Sequence, residues 1–173
     1  MVKGNVKYYS AADPDKLFEY VKEKEFIAQS IIPELRQLRT EPKGKVIVEV
    51  FEGIEGFKTL LNDIVKTGKD YVAYGIEPAF LKKNFNLLME QFFIRQHTAG
   101  IKSRVLISAK SKWVPEYLKF KKIRDEFFSP TPIIVYEDKT ASIIWEPFTI
   151  VIMKNKEFAG SYRKHFDYLW SLK

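Results

Sequence analysis

Between residues 45 and 75 the chain reads KVIVEVFEGIEGFKTLLNDIVKTGKDYVAYG, and this stretch limits the possible fold more than any other. Val46, Val48 and Val50 alternate with Ile47, Glu49 and Phe51. So high a β-branched density predicts a strand mostly buried on both faces. Glu52-Gly53 ends it. Phe57, Leu60, Leu61, Ile64 and Val65 then recur at three- and four-residue spacing, which places them on one helical stripe with Lys58, Asn62, Asp63 and Lys66 facing water. Gly68 supplies the helix stop, because glycine enters the left-handed turn without a side-chain clash. Residues 70–74 follow as a second strand, and a strand, helix and strand of this length normally form a right-handed parallel unit. The chain is therefore expected to be α/β.

At 173 residues with 46% apolar side chains, it is long enough for one domain with a modest appendage and can bury a real core. No apolar run approaches the roughly 20 residues a membrane span needs, and residues 1–10 lack the apolar centre of a signal peptide. The chain is expected to be cytoplasmic, with no membrane partner. It has no cysteine, which removes disulfides and thiolate zinc sites, and its two histidines leave little for a metal or catalytic relay. No metal and no cofactor are expected. The net charge of +7 points to an acidic partner such as nucleic acid.

Residues 3–10 read as a turn at Gly4-Asn5 and a short strand with nothing evident to pair with. Asp13-Pro14 then opens a helix, an acidic N-cap followed by proline where a missing donor costs nothing. Leu17, Val21, Lys24, Ala28, Ile31, Leu35 and Leu38 step by fours and threes along it, a heptad-like seam that needs a partner. Pro33 lies inside the pattern and predicts a kink or restart. Two readings stand: the helix docks on its own domain, or it pairs with its twin across a dimer axis, where Phe18, Phe26, Ile27 and Ile32 add apolar surface. Residues 40–44, with Pro42 and Gly44, form the linker. The division is thus 1–42, strand and helix, and 43–173, the α/β domain.

Glu77-Pro78 opens a helix that runs to about Thr98, apolar on more than one side, as if packed on the sheet and on the N-terminal helix. Residues 101–108 are a third strand. Residues 113–128 read as a further helix carrying Lys119, Lys121, Lys122 and Arg124, either a nucleic-acid patch or a solvated face. Three apolar runs follow, 133–136, 141–145 and 148–153, with turns short enough to make them antiparallel, so the sheet is expected to be mixed. Phe158, Tyr162, His165, Phe166, Leu169 and Trp170 give a last helix with an aromatic stripe suited to packing. His165 reads as half-buried there, and His97 as a cation near a helix C-terminus.

There is no phosphate-cradling GxxxxGK[ST], no GxSxG, no HExxH and no GxGxxG. Residues 52–56, EGIEG, place backbone amides at a helix N-terminus, where an anion is welcome, but Glu52 and Glu55 repel one and favour a tight turn. In open α/β sheets ligands sit beyond the carboxyl ends of parallel strands. That rule singles out Glu52-Gly53, then Tyr74, Gly75 and Glu77, and Ser108, with Trp145-Glu146 closing one side. Such residues suit a small polyol such as a sugar, although a glycine at a strand end is often only a turn.

Taken together, VKYYSAADPDKLFEYVKEKE, IIPELRQL, VEVFEGIEGFKTLLNDIVKTG, IIVYEDKTASIIWEP and YRKHFDYLW resemble the effector-sensing part of TrmB-type archaeal transcription regulators. The resemblance spans nearly the whole chain. It implies a phospholipase-D-like mixed sheet flanked by helices and preceded by a long helix. It also implies a homodimer formed through Leu17, Val21, Ala28, Ile31, Leu35 and Leu38, a small-molecule effector, and DNA contact only through a winged-helix domain absent from this chain, of which residues 3–10 would be the last wing strand. Active phospholipase-D-like enzymes carry a His-x-Lys pair leading into a strand. Here Pro130, Thr131 and Pro132 lead into IIVYED, and Asp138 alone cannot form a phospho-histidine intermediate. No catalysis is expected. The alternatives are a divergent phosphodiesterase acting on nucleic acid, and a free-standing protein-interaction module.

Overall fold

The computed structural model describes residues 2–3, 6–7, 13–38, 46–115 and 118–172, with side chains for 13–35, 46–115 and 118–172. The chain divides into two compact units, Met1–Lys43 and Gly44–Lys173. In the first, β1 (Val2–Lys3) and β2 (Val6–Lys7) pair antiparallel, so the strand expected to stand alone has a partner two residues upstream. The Gly4-Asn5 turn and the 40–44 linker lie outside the described residues. Helix α1 (Lys16–Leu38) is launched by Asp13, whose carboxylate accepts from the Asp15 amide at 3.0 Å. It continues through Pro33 without restarting.

The second unit is built on a seven-stranded mixed sheet in the order β3-β9-β8-β7-β4-β5-β6. Its strands are β3 (Ile47–Glu52), β4 (Tyr71–Tyr74), β5 (Ser103–Ser108), β6 (Phe120–Ile123), β7 (Ile133–Tyr136), β8 (Lys139–Trp145) and β9 (Phe148–Lys154). The antiparallel pairings of β3, β9, β8, β7 and β4, and the parallel ones of β4, β5 and β6, leave only β7 and β9 running against the rest. Strands β3 and β4, joined by α2 (Gly53–Thr67), run in the same direction with three strands inserted between them. The register assigns Ala73, Val105, Ile134, Ile143 and Ile150 to one face, where they pack with Phe57, Leu60 and Ile64 of α2 and with Met89 and Phe92 of α3 (Pro78–Thr98). Val72, Leu106 and Val135 occupy the other face, against Ala159, Phe166 and Leu169 of α4 (Lys156–Ser171).

Two expectations are corrected. Strand β3 is not buried on both faces: it is an edge strand, α4 lies over β4, β7 and β8, and Val48 and Val50 remain 50% and 61% exposed. Residues 113–128 are not a helix. Pro115 interrupts the run, and Phe120–Ile123 instead extends the sheet beside β5, followed by a 3-10 turn at Asp125–Phe127. The ammonium of Lys121 there donates to the Trp170 and Leu172 carbonyls at the end of α4, that of Lys122 to the Ser111 carbonyl, and Arg124 pairs with Glu126. These side chains are engaged by their own chain.

One polar network crosses from α2 to the hairpin of β7 and β8. Asp63 accepts from the Tyr136 hydroxyl at 2.8 Å and from the Lys139 ammonium at 2.6 and 2.8 Å. Asp63 therefore does not face water. Tyr136 is fully buried, and burial first, then its bond to Asp63, push its ionisation well above the ordinary tyrosine value. A folded-state value raised above the unfolded one gives stability that is complete below about pH 10 and is lost as pH rises further. Urea unfolding should show stability falling above pH 10 by up to about 1.4 kcal/mol per pH unit from this group. Tyr136→Phe should flatten that slope, and an unchanged slope would contradict the assignment.

Candidate functional site

A cavity of about 330 Å³ lies between α3 and the sheet. Its floor comes from β4, β5, β7 and β8 through Ala73, Val105, Ile134 and Ile143, and its walls from Leu61, Ile64, Met89 and Phe92. The side opposite α2 is closed by Trp113, Pro115 and Leu118, from the irregular segment between β5 and β6. The volume falls within the ~300–1,000 Å³ typical of small-molecule sites. Closed and dry, it would cost on the order of 8 kcal/mol at roughly 24 cal/mol per Å³, comparable with the whole net stability of a domain at ~5–15 kcal/mol. An uncollapsed void on this scale is best explained by something that fills it.

The polar lining is sparse. Lys82, Asn86 and Glu90 are exposed and stand four residues apart on α3, so they form one polar row along the rim. The Lys82 ammonium lies 4.4 Å from the centre of the Trp113 ring, while Asn86 donates to the Glu90 carboxylate at 2.8 Å. Inside, the Tyr71 hydroxyl is committed to Gln96 at 3.0 Å. Helix α3 breaks its regular geometry at Phe85 (φ −138°, ψ 28°), between Lys82 and Asn86, where the ring joins a cluster with Phe57, Phe80, Trp145 and Phe148.

The strand ends singled out from sequence do share one edge of the sheet, but the residues there do not form one pocket, and none of them lines this cavity. Glu52 and Gly53 begin α2 at the far edge, with Glu52 exposed and making no capping bond. Trp145 packs 4.7 Å from Phe80, ring to ring, and Glu146 is exposed in the following turn. Tyr74 is on the opposite face, stacked on Tyr162, and its ionisation is raised by burial and then by Tyr162. Gly75 is buried against the backbone of Ser129 and Thr131. Glu77 caps α3 through the Ala79 amide and accepts from the Ser111 hydroxyl at 2.7 Å. Ser108 donates to Asp125 at 2.6 Å, and Lys110 holds the Asp125 carboxyl below its ordinary range. The groups at this edge are largely spent on the fold.

Of the two histidines, His165 is exposed at 6.1 Å from the Tyr74 ring rather than half-buried, because Tyr162 and Phe166 take the places nearer the sheet. Among the described residues no three histidine, aspartate or glutamate side chains gather as a metal site, and no helix is long and apolar enough to cross a membrane.

No family model matches the chain, and no curated protein matches it. Solved structures do. The chain is similar to TrmBL2, an archaeal chromatin protein reported to show a novel mode of DNA binding, at 14% identity and a TM-score of 0.52. That match covers 91% of this chain and 62% of TrmBL2, so the chain spans less than two thirds of that protein. NucT from Helicobacter pylori matches at 9% identity and a TM-score of 0.48, over 73% of this chain and 96% of NucT. At 14% identity the likeness to TrmBL2 is one of fold: a seven-stranded mixed sheet with helices on both faces, preceded by a long helix.

Proposed function

We propose that the chain is a non-catalytic, ligand-sensing and self-associating part of a TrmB-like transcription regulator, its second unit of phospholipase-D-like fold. The fold shared with TrmBL2 supports the family reading. Contact with DNA is assigned to a winged-helix reading head of such a regulator rather than to these residues. The observation that carries self-association is the surface of α1, where Leu17, Val21, Phe26, Ile31 and Leu35 are all 46% to 73% exposed. Isolated apolar side chains at a surface are ordinary, but a continuous stripe of them is not. At three- and four-residue spacing they form the seam of a helix pair, completed by a second copy.

Light scattering at micromolar concentration should give a dimer. Ile31→Glu combined with Leu35→Glu should give a folded monomer, and a monomeric unmodified chain would overturn this part of the reading. Calorimetry and thermal shift against a panel of sugars, nucleotides and apolar acids test the sensing part, which requires at least one ligand. Hydrolysis of bis(4-nitrophenyl) phosphate that disappears on Asp138→Ala would replace the reading with the phosphodiesterase alternative.

A further inference from the structure

We propose that the effector is a small apolar carboxylate, of the chemical class of a medium-chain fatty acid or a two-ring aromatic acid, held in the cavity beneath α3 with its anionic end at Lys82. This rests on the ligand-sensing reading of the same unit and replaces the expectation of a sugar at the strand ends. The lining decides the class. A polyol inside would exchange its water for Leu61, Ile64, Met89, Phe92, Val105 and Ile143, none of which can return a hydrogen bond. The Tyr71 hydroxyl, the polar atom deepest in the site, already donates to Gln96. An apolar body loses nothing there. An engineered apolar cavity of about 150 Å³ holds one benzene ring, so this one suits roughly a dozen heavy atoms.

The rim decides the charge. Among the described residues no carboxylate lies in ion-pair range of Lys82, whose ammonium instead rests over the Trp113 ring. Glu90, two turns along the same helix, is engaged by Asn86, and its charge disfavours an anion at that end. A carboxylate is therefore oriented toward Lys82, with the Trp113 ring covering the first carbons of its tail.

Decanoate, decanol and maltose are the probes, measured by titration calorimetry and by thermal shift on the full chain. Decanoate should bind and raise the melting temperature by several degrees, decanol should bind about fivefold more weakly, and maltose should not bind. Lys82→Gln, a change at an exposed position, should bring decanoate down to the affinity of decanol and leave decanol unchanged. Ala73→Leu fills the floor of the cavity and should abolish binding of both while circular dichroism reports an unaltered fold. If that variant does not fold, the Lys82→Gln comparison alone decides. Decanoate that binds Ala73→Leu and Lys82→Gln as well as the unmodified chain would place its site elsewhere and overturn the proposal. Maltose binding without decanoate binding would overturn it while leaving the sensing reading intact. Silence from the whole panel of sugars, nucleotides and apolar acids would overturn both.

Discussion

Replacing Asp63 with alanine should destabilise the second unit by about 3–5 kcal/mol, a large share of the ~5–15 kcal/mol that holds a domain together. The loss is not that of a surface ion pair. Lys139 and Asp63 keep only 19% and 26% of their side-chain surface exposed, and the Tyr136 hydroxyl that shares the carboxylate is fully buried. Alanine leaves a hydroxyl without an acceptor and an ammonium without a counterion, and each stranded group carries its full desolvation cost. A drop in melting temperature on the order of 10 °C should follow. The triple change Asp63→Leu, Tyr136→Phe and Lys139→Met removes all the polar partners together and should recover most of the stability, since apolar replacement of a whole buried network is often neutral. If the single and triple variants melt alike, the three groups do not act as a network and the argument from stranded partners is wrong.

Asp63 also marks where reading the sequence stops. Its helix was legible: Phe57, Leu60, Leu61 and Ile64 announce their buried stripe by spacing alone, and Gly68 ends the helix at φ +63° as its position implies. The hairpins of β7, β8 and β9 were legible for the same reason, because their turns are two residues long and pairing is decided locally. Asp63 finds its partners 73 and 76 residues away, and nothing within one helical turn distinguishes it from Asn62 or Lys66. Strand β3 was misjudged because valine density reports a strand but not its neighbours, and whether β3 lies in the middle or at the edge is set by β9, a hundred residues on. Residues 120–123 carry too short a pattern to separate strand from helix, and pairing with β5 decides it. The cavity had a faint trace. Lys82, Asn86 and Glu90 repeat every fourth residue beside Met89 and Phe92, but the breadth of apolar residues on α3 read as packing against another helix. Voids are set by how elements from distant parts of the chain meet, and no local pattern encodes that.

Gly75 tests the same distinction between local and distant causes, and Gly75→Ala should cost at least about 3 kcal/mol. Two terms contribute. At φ +76° an alanine is in the left-handed region, a penalty of roughly 1–2 kcal/mol for a residue with a Cβ. The added Cβ would also lie 2.6 Å from the carbonyl oxygens of both Ser129 and Thr131, and these are backbone atoms that cannot turn aside as a flexible side chain would. Relief requires moving the segment that leads into β7, which pairs with β4 through Ile133 and Tyr74, so the strain spreads into the centre of the sheet for a further ~1–3 kcal/mol. Gly68 separates the two terms. Its φ is +63°, but nothing lies within 4 Å of the place a Cβ would take, so Gly68→Ala meets only the backbone penalty. Urea unfolding of the two variants side by side should therefore show Gly75→Ala the more damaging by about 1–3 kcal/mol, with no change in denaturant slope for Gly68→Ala. Equal losses would mean that the chain around Ser129 and Thr131 yields freely, and that the close approach of β4 to that segment contributes little to holding the sheet.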